Sequence, residues 1–347
     1  MEPGKELDTA KMYRVAADKF ILNITFAWEH AVAITDNNDA GKLVSHRFPQ
    51  FSFNPKLKPH FFKYLMLDKK FREHLELSSP GGAGRNRVLK ISDMLKYEIK
   101  LPSIEEQIKI GEYFDSLDHL ITLHQRKCEQ TKKLKKYMLQ KMFPQNGAKV
   151  PEIRFDGFTY DWEQRKLIDY LEVSSEKNRD NRFTKEDVLS VSGEYGIVNQ
   201  IEFQGRSFAG ASVSNYGVVE NGDVVYTKSP LKSNPYGIIK TNKGIPGIVS
   251  TLYAVYKPKE ITDSKFVQIY FELDSRMNSY MHPLVNKGAK NDMKVSAENA
   301  LKGMVSFPKK DEQEMISLYF STLDNLITLH QRQTDFYKKN SFYYISS

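Results

Sequence analysis

Two long segments of the chain carry positions that recur at alternating intervals of three and four residues. These positions are Phe114, Leu117, Ile121 and His124 in the first segment and Phe320, Leu323, Ile327 and His330 in the second. Mostly apolar side chains at this spacing predict an α-helix that packs along another helix, as in a coiled coil. Because both stripes have the same register, we expect each helix to be the partner of the other and these eight residues to form the seam.

Shorter apolar runs, separated by Gly, Asn and Ser, fill the rest of the chain and predict a mixture of strands and helices. Val218-Val219 and 224–226 flank a turn at 220–223, and we expect them to form a β-hairpin. The other predicted strands are 19–25, 44–53 and 248–256, and the predicted helical stretches are 60–77 and 266–281. The pattern therefore predicts mixed α and β domains beside the two long helices.

The heptapeptide LITLHQR occurs twice, at 120–126 and at 326–332, so the two copies lie 206 residues apart. The match continues upstream at the same offset, through Pro102 with Pro308, Glu106-Gln107 with Glu312-Gln313, and Gly82-Ala83 with Gly288-Ala289; with a small gap, 90–92 also aligns with 294–296. A repeat of this extent decides the architecture before any single residue does. The chain contains two copies of a unit made of one domain and one helix.

The first long helix has recognisable ends. Ser103 is a suitable N-cap with Glu106 in the capping-box position, and we expect the helix to stop before Pro144. Acidic residues occupy its first turns and lysines its last turns, as the helix macrodipole favours. At ~1.5 Å per residue, about forty residues give a rod of roughly 60 Å. Such a rod is long enough to separate two globular domains.

Composition limits the possible functions. A chain of 347 residues with 40% hydrophobic residues can form two cores of ordinary size. No run approaches the ~20 apolar residues of a membrane span, and the polar N-terminus predicts no export signal. The single cysteine, Cys128, excludes an internal disulfide and a thiolate metal site, so we expect a cytoplasmic protein. The net charge of +8 is compatible with a nucleic-acid partner.

Basic and amide side chains cluster in loops, two of which the repeat places at equivalent positions. One cluster follows the Gly-rich turn of the first copy, its counterpart surrounds Gly288-Ala289, and a further polar loop precedes Tyr236. Arg and Lys pair with guanine edges or phosphates and Asn pairs with adenine, so these loops are candidate DNA contacts. A solvated loop without function explains them equally well. The candidates are Arg85, Asn86, Arg87, Lys228, Lys232, Asn234, Lys287, Lys290 and Asn291.

Motifs that suggest catalysis are incomplete. Asn234-Pro235-Tyr236 lacks the second proline of the Asn-Pro-Pro-Tyr signature of amino-methyltransferases, and no glycine-rich cofactor turn precedes it. The glycines at 81–84 are not followed by the Gly-Lys-Ser/Thr of a phosphate loop. His124 and His330 lie on the helical seam, which favours packing or a hydrogen bond over metal binding or general-base chemistry. We therefore expect neither a catalytic residue nor a metal site.

Four stretches resemble the specificity subunits of type I restriction-modification enzymes. They are LPSIEEQ at 101–107, FDSLDHLITLHQRKCEQTKKLKKYMLQKMFP at 114–144, PEIRFDGF at 151–158 and WEQRKL at 162–167. The resemblance implies an α+β fold in which two mixed α/β target-recognition domains are joined by two long conserved helices that form an antiparallel coiled coil. The implied segments are a partial first recognition domain at 1–102, a first spacer helix at 103–143, a linker at 144–161, a second recognition domain at 162–308 and a shortened second spacer helix at 309–347.

The same resemblance implies a DNA-binding subunit that is not itself an enzyme. Each recognition domain would read one half of a split double-stranded DNA target, and the helices would bind modification (methyltransferase) subunits. Those partners would methylate adenine N6 with S-adenosylmethionine, and a restriction (translocase-nuclease) subunit would cleave DNA with ATP and Mg, so no cofactor is expected on this chain. The alternatives are the DNA-recognition fragment of a fused methyltransferase-nuclease and a coiled-coil scaffold that does not bind DNA.

The chain departs from the family pattern at both ends. Trp162 opens the second recognition domain, and its counterpart at the repeat offset would lie before Met1. The final helix ends in NSFYYISS, where the first copy continues with lysines. We therefore expect a truncated first recognition domain that lacks its opening segment, with a sheet edge left exposed.

Overall fold

The computed structural model describes residues 12–81, 87–145, 147–228, 234–287 and 293–346. The chain divides into two compact units: unit 1 contains residues 1–128 and 329–347, and unit 2 contains residues 129–328. Both units combine short strands with helices, and both include part of each of two long helices. The predicted α+β fold class, with two mixed domains and two long helices, is confirmed.

Unit 1 is built on an antiparallel sheet in the order β3-β2-β5, beside a separate pair of strands, β1 and β4. Phe20 and Leu22 alternate with half-buried Ile21 along β2, and both pack against Phe62 and Phe71 in the core. The elements are β1 (Met12–Arg14), β2 (Lys19–Leu22), β3 (Val32–Ile34), β4 (Leu43–Ser45), β5 (Gln50–Ser52), α1 (Pro59–Leu65), α2 (Lys69–Leu77), α3 (Ile91–Met94) and the first part of α4 (Ile104–Lys141).

Unit 2 contains a larger sheet in the order β12-β11-β14-β7, and β17 pairs with β6. Every residue of β10, β11, β12 and β13 is buried, so these strands are covered on both faces. The elements are β6 (Glu163–Lys166), β7 (Leu171–Val173), β8 (Leu189–Ser192), β9 (Gly196–Asn199), α5 (Gln200–Gln204), β10 (Gly217–Val219), β11 (Val224–Thr227), β12 (Ile239–Thr241), β13 (Gly247–Val249), β14 (Tyr253–Pro258), α6 (Ser264–Tyr270), α7 (Asp274–Met281), β15 (Asn286–Lys287), β16 (Met293–Lys294), α8 (Ala297–Ala300), β17 (Met304–Phe307) and part of α9 (Lys310–Ser346).

The internal repeat is visible in the fold. In each unit a central strand is flanked antiparallel by two others, β2 by β3 and β5, and β11 by β12 and β14. Helices α6, α7 and α8 follow α1, α2 and α3 at the repeat offset to within two residues. Because α3 and α8 match without any shift, the gap assumed in the sequence between 90–92 and 294–296 is wrong.

The ends of α4 agree with the sequence prediction. The helix begins at Ile104, and the Ser103 hydroxyl accepts a hydrogen bond from the backbone N–H of Glu106 at 3.2 Å. It ends at Lys141, before Pro144. Near that end the Arg276 guanidinium donates to the carbonyl of Leu139 at 2.8 Å, which provides a partner for a C-terminal carbonyl of the helix. Burial lowers the pKa of Arg276 to about 10.

The predicted hairpin between Val218-Val219 and 224–226 is wrong. The turn exists, with Gly222 at φ +90°, but β10 pairs with β13 while β11 pairs with β12 and β14. The backbone of Asn242, just after β12, bonds to both Gly222 and Asp223, so β12 occupies the side of the turn that a hairpin partner would need. A turn signal between two apolar runs does not choose the strand partners when both runs are buried on both faces.

Several predicted elements are interrupted. The strands expected at 44–53 and 248–256 are each two strands, separated by turns before β5 and β14. The helical stretches at 60–77 and 266–281 are each two helices, with breaks at 66–68 and 271–273. No Gly or Pro marks either helix break. Because tertiary packing overrides local propensity, these interruptions could not be read from the apolar pattern.

Candidate nucleic-acid interface

A buried glutamine connects the long helix of unit 2 to the domain beside it. The Gln313 side-chain amide donates to the carbonyls of Pro308 at 2.9 Å and Ile261 at 3.2 Å, and its oxygen accepts from the backbone N–H of Asp263 at 2.9 Å. Gln313 itself is fully buried. One side chain therefore satisfies three backbone groups from two segments, which fixes the start of α9 against the loop that precedes α6.

Unit 1 repeats this junction at the equivalent position. Gln107 donates to the carbonyls of Pro102 and Lys56, both at 3.0 Å, and accepts from the backbone N–H of Lys58 at 3.0 Å. An amide can do this because it combines two donors with an acceptor on one planar group. The glutamine of the Leu-Pro-x-x-x-x-Gln stretch therefore fixes the helix to the domain beside it. The repeat identified this glutamine in the sequence but did not reveal its contacts.

In each unit, a lysine that contacts carboxylates links a long helix to the domain beside it. The lysine belongs to a different element in each unit. In unit 1, Lys63 of α1 contacts Asp115 at 2.9 Å and Asp118 at 3.1 Å on α4. Burial opposes the charge of Lys63, but hydrogen bonds to both aspartates raise its pKa overall. The Tyr64 hydroxyl also donates to Asp115, at 2.7 Å. This cluster holds the first helical turns of α4 against α1.

In unit 2 the lysine comes from α4 itself. Lys135 contacts Glu272 and Asp324, each at 2.6 Å, and only 12% of its side chain is exposed. Burial opposes its charge, but the two carboxylates raise the pKa of Lys135 overall. Asp324 is the repeat mate of Asp118, so an aspartate that contacts the lysine lies at the same helix position in both units. The second oxygen of Glu272 is buried and has no hydrogen-bond partner among the described residues.

The seam predicted from the sequence lies between α4 and α9. Phe114 and Leu117 are buried in unit 1, and Phe320 and Leu323 are buried in unit 2, while Ile121 and Ile327 are half-buried. Tyr337 stacks on His124 in unit 1, and Phe320 packs near Phe143 in unit 2, with ring centroids 5.7 and 6.2 Å apart. In both units, residues further along α4 contact residues nearer the start of α9. The two helices therefore run antiparallel.

His124 and His330 meet directly, with their Nδ1 atoms 3.1 Å apart. Each histidine is thus in contact with its own repeat mate. The geometry allows one N–H···N hydrogen bond, in which one ring donates and the other accepts. Burial, the neighbouring His330 and Lys127 lower the pKa of His124. The pair therefore requires at least one neutral imidazole and is sensitive to pH.

Unit 1 should lose stability as pH falls below about 6.5, the ordinary pKa of histidine. Because the folded pKa of His124 is lowered, the unfolded chain takes up the proton first and protonation favours unfolding. Urea unfolding at pH 7.5 and 5.5 measures this, and the loss of one hydrogen bond sets a scale of about 1 kcal/mol. A His124→Gln variant, which cannot titrate, should show a smaller loss; an equal loss in both proteins would contradict the assignment.

Among the predicted DNA contacts, Arg87 is engaged within unit 1. Its guanidinium donates to the carbonyls of Ser79 at 3.1 Å and Glu76 at 3.3 Å, and it contacts the Glu76 carboxylate at 3.4 Å. It also lies over the Trp28 ring, 5.2 Å from the centroid. These contacts anchor the described chain at Arg87, and its predicted DNA contact stays a prediction.

Asn234 is also held by protein contacts. Its amide donates to Asp274 at 2.7 Å, and the carbonyl of Tyr236 accepts from the Tyr226 hydroxyl at 2.9 Å. Gly237 closes the turn at φ +75°, where an added Cβ would lie 2.1 Å from the carbonyl oxygen of Thr227. The Asn-Pro-Tyr stretch is thus the first half of a tight turn between β11 and β12.

Lys228 is the described candidate with the electrostatics of an anion site. It follows β11 directly and is half-buried. Burial and then the nearby Lys177 lower its pKa, and only Glu298 opposes this. A phosphate group placed near both lysines would relieve their repulsion and raise the pKa of Lys228 again. Lys177 was missed in the sequence because it lies 51 positions away, and the β-bridge between Lys177 and Gly217 is what brings it close.

Six of the nine predicted DNA contacts remain. Lys287 is the last residue of β15, which pairs antiparallel with β16. The other five candidates, Arg85, Asn86, Lys232, Lys290 and Asn291, lie outside the described residues. They stay predictions. The structure therefore brings Lys228 together with a new neighbour and assigns internal contacts to Arg87 and Asn234.

The described parts of the chain, residues 12–81, 87–145, 147–228, 234–287 and 293–346, contain neither a candidate metal cluster nor a membrane-spanning helix. No group of three or more His, Cys, Asp or Glu side chains in these ranges could hold a metal ion. None of the helices in the same ranges is long and apolar enough to cross a membrane.

Residues 5–133 match the family model for the type I restriction modification DNA specificity domain. The chain is also 22% identical, over 96% of its length, to the MjaX specificity subunit of a type I restriction enzyme from Methanocaldococcus jannaschii, of which the match covers 78%. Residues 5–133 thus contain a domain of this family, and the chain as a whole is similar to the specificity subunits of type I restriction-modification systems. Specificity subunits are the non-catalytic DNA-recognition components of these systems, and catalysis lies in other subunits.

A solved structure of a type I S subunit shares the fold. The S subunit of a type I system from M. genitalium aligns with a TM-score of 0.59 at 14% identity, covering 96% of this chain and 83% of that one. The HsdS subunit from Thermoanaerobacter tengcongensis aligns with a TM-score of 0.47 at 16% identity, covering 98% and 82%. At such identities the first likeness concerns the fold alone.

Proposed function

We propose that this specificity subunit reads a bipartite DNA sequence, one half with each unit, and directs the adenine N6 methylation and ATP-dependent cleavage of its partner subunits to that sequence. The observation that carries this proposal is the internal repeat. Two units with the same order of strands and helices each attach to a long helix through a buried glutamine, Gln107 or Gln313. Two similar readers on a shared pair of helices suit a target made of two separated halves.

The partners in this proposal are double-stranded DNA, modification subunits and a restriction subunit. S-adenosylmethionine, ATP and Mg would be bound by those subunits and not by this chain, which would act in the cytoplasm. The net charge of +8 and the Lys177 and Lys228 pair support DNA as the ligand. These features do not favour a scaffold that does not bind DNA, and salt-dependent association with DNA would exclude such a scaffold.

Co-expression of this chain with its methyltransferase partner, followed by mapping of N6-methyladenine in the host DNA, tests the proposal. A split motif that appears only in the presence of this chain is the expected result. A motif with one half, or a symmetric motif, would contradict reading by both units. An assembled complex that adds no methylation would contradict the directing role.

The Lys177→Gln/Lys228→Gln double variant is the sharpest test of the DNA surface in unit 2. Each lysine that contacts a phosphate contributes about one unit to the salt dependence of binding, so the slope of log K against log salt should fall by about two and the affinity by tenfold or more. Titration of labelled target DNA at several salt concentrations measures both. The matched control is Lys185→Gln/Lys265→Gln, which removes the same charge from exposed positions of unit 2; equal losses in the two variants would contradict a specific site.

A further inference from the structure

Each unit contains a tight turn of the same construction before one strand of its central sheet. In unit 1 the turn spans 45–48 and connects β4 to β5, and in unit 2 it spans 250–253 and connects β13 to β14. The turns begin at Ser45 and Ser250, which lie 250 − 45 = 205 residues apart and so agree with the repeat offset to within one residue. The turn is therefore an equivalent part of both units.

The same hydrogen bonds hold both turns. The hydroxyl of the first residue, Ser45 or Ser250, accepts the backbone N–H of the third residue at 3.4 Å, and its carbonyl accepts the N–H of the fourth residue at 3.0 Å. The carbonyl of the third residue accepts from the chain that leaves the central strand, from Ile24 at 3.0 Å in unit 1 and from Lys228 at 3.1 Å in unit 2. The backbone of the third residue is thus fixed in both units.

The side chain of this third residue is not used by the fold. It is Arg47 in unit 1 and Leu252 in unit 2, and both residues are exposed, Leu252 by 63%. Within the ranges that the structure describes, the guanidinium of Arg47 has no hydrogen-bond or ion-pair partner, and Leu252 belongs to none of the hydrophobic cores. A fixed backbone with an unused, exposed side chain suits contact with a ligand.

In unit 2 the turn lies beside the two lysines of the candidate anion site. Lys228 donates its backbone N–H to the turn itself. Lys177 forms a β-bridge with Gly217, and Gly217 pairs with Val249, the residue before the turn. The exposed leucine is therefore next to the place where a phosphate group would bind.

In unit 1 the turn lies beside the segment that follows the predicted DNA contacts at 85–87. The carbonyl of Ile24, whose N–H bonds to Arg47, accepts the backbone N–H of Leu89 at 2.8 Å. Leu89 is two residues after Arg87, so a single residue of the first strand's continuation connects the turn with that segment. In both units the turn is thus adjacent to residues that are DNA candidates for other reasons.

We propose that the third residue of this turn reads one base in each half of the target. Arg47 would contact a guanine through O6 and N7 in the major groove, which is the commonest specific contact of arginine, and Leu252 would contact the C5-methyl group of a thymine. Lysines beside the turn would hold the phosphate backbone and so set the register in which Leu252 meets the base edge. This inference rests on the proposed function, because it requires that each unit reads one half of the target.

The complex of this chain with its methyltransferase partner tests the proposal, with N6-methyladenine mapped in host DNA for each variant. Arg47→Ala should relax one guanine position in one half of the motif, with the preference for guanine reduced about tenfold or more and the other half unchanged. Leu252→Ser should relax one thymine position in the other half. Its effect should be smaller, because a methyl contact involves no hydrogen bond.

Arg72→Ala and Ile245→Ser are the controls. They remove an exposed arginine from α2 of unit 1 and an exposed aliphatic side chain from the turn at the opposite end of β13, and both should leave the motif unchanged. Methylation that falls equally at all sites in Arg47→Ala, with the motif unaltered, would identify a phosphate contact and overturn the proposal. Unaltered motifs in both test variants, or relaxation by both in the same half, would also overturn it. A wild-type complex without a split motif would instead contradict the proposed function itself.

Discussion

Replacing Gln313 with leucine should destabilise unit 2 by about 2–3 kcal/mol, because one buried and two half-buried backbone groups lose their hydrogen bonds to this side chain. The carbonyls of Pro308 and Ile261 and the N–H of Asp263 all bond to this amide. Each buried polar group left without a partner costs roughly 1–3 kcal/mol. Leucine is similar in size to glutamine, so the change removes hydrogen bonds and leaves little cavity.

Thermal or urea unfolding of the purified chain measures this effect, and Gln107→Leu provides the matched comparison in unit 1. The contacts of Gln107 are the same in kind, but its bond to the carbonyl of Pro102 is half-buried, whereas the bond of Gln313 to Pro308 is buried, so water can replace more of what is lost. We expect the smaller cost in unit 1. A Gln130→Leu variant, at an exposed position of α4, should be nearly neutral. A cost below about 1 kcal/mol for Gln313→Leu, the size of one ordinary hydrogen bond, would contradict the assigned role.

The architecture could be predicted because the signals that define it are periodic. The LITLHQR repeat shows that the domain and the helix occur twice, and the 3-4 spacing places Phe114 and Phe320 on facing stripes. Ser103 marks the start of α4 because a hydroxyl at an N-cap has one specific partner, the backbone N–H of Glu106. Each of these features depends on residues that are close together in the sequence or related by a fixed offset.

Strand pairing and the DNA candidates could not be predicted in the same way. The partner of β10 is β13, about thirty residues later, and nothing in the Val-Val pairs distinguishes this arrangement from a hairpin. Its place in a basic loop made Arg87 a predicted DNA contact; the fold adds that its guanidinium contacts Glu76 and Ser79, and the DNA contact stays a prediction. Lys177 could be recognised only after the fold brought it near Lys228. The domain boundaries and the shortened first domain stay predictions.

The two units also differ where the repeat is imperfect. Lys135 has Ser341 as its repeat mate, so the position on α9 that would serve Asp118 carries no charge. In unit 1, Lys63 from the recognition domain binds Asp118 instead. The carboxylate is thus kept at the same helix position while the lysine comes from a different element. A change at Lys135 therefore tests unit 2 without disturbing the equivalent cluster in unit 1.

Lys135→Met should destabilise unit 2 by about 2–3 kcal/mol, since removing one member of a buried ion pair leaves its partners without compensation. The full value for such a loss is ~3–5 kcal/mol, but Asp324 is 40% exposed and water will solvate it. The neighbouring Lys240 limits the loss further. Burial lowers the pKa of Lys240, the carboxylate of Glu272 raises it, and the charge of Lys135 lowers it. Without Lys135, Lys240 is therefore better able to compensate the negative charge of Glu272. Urea unfolding at pH 7 measures the cost, with the exposed Lys136→Met as control.

The pH dependence of this cost identifies its origin. The folded pKa of Lys135 is raised, so its contribution is fully present below the ordinary value of 10.5 and is lost as pH rises through the folded pKa. The difference between the wild type and Lys135→Met should therefore be constant from pH 7 to 9 and should narrow only in more alkaline solution. A difference that already disappears at pH 8 would mean that charge on Lys135 is not its cause. A cost equal to that of Lys136→Met would show instead that the cluster does not hold α4 in unit 2.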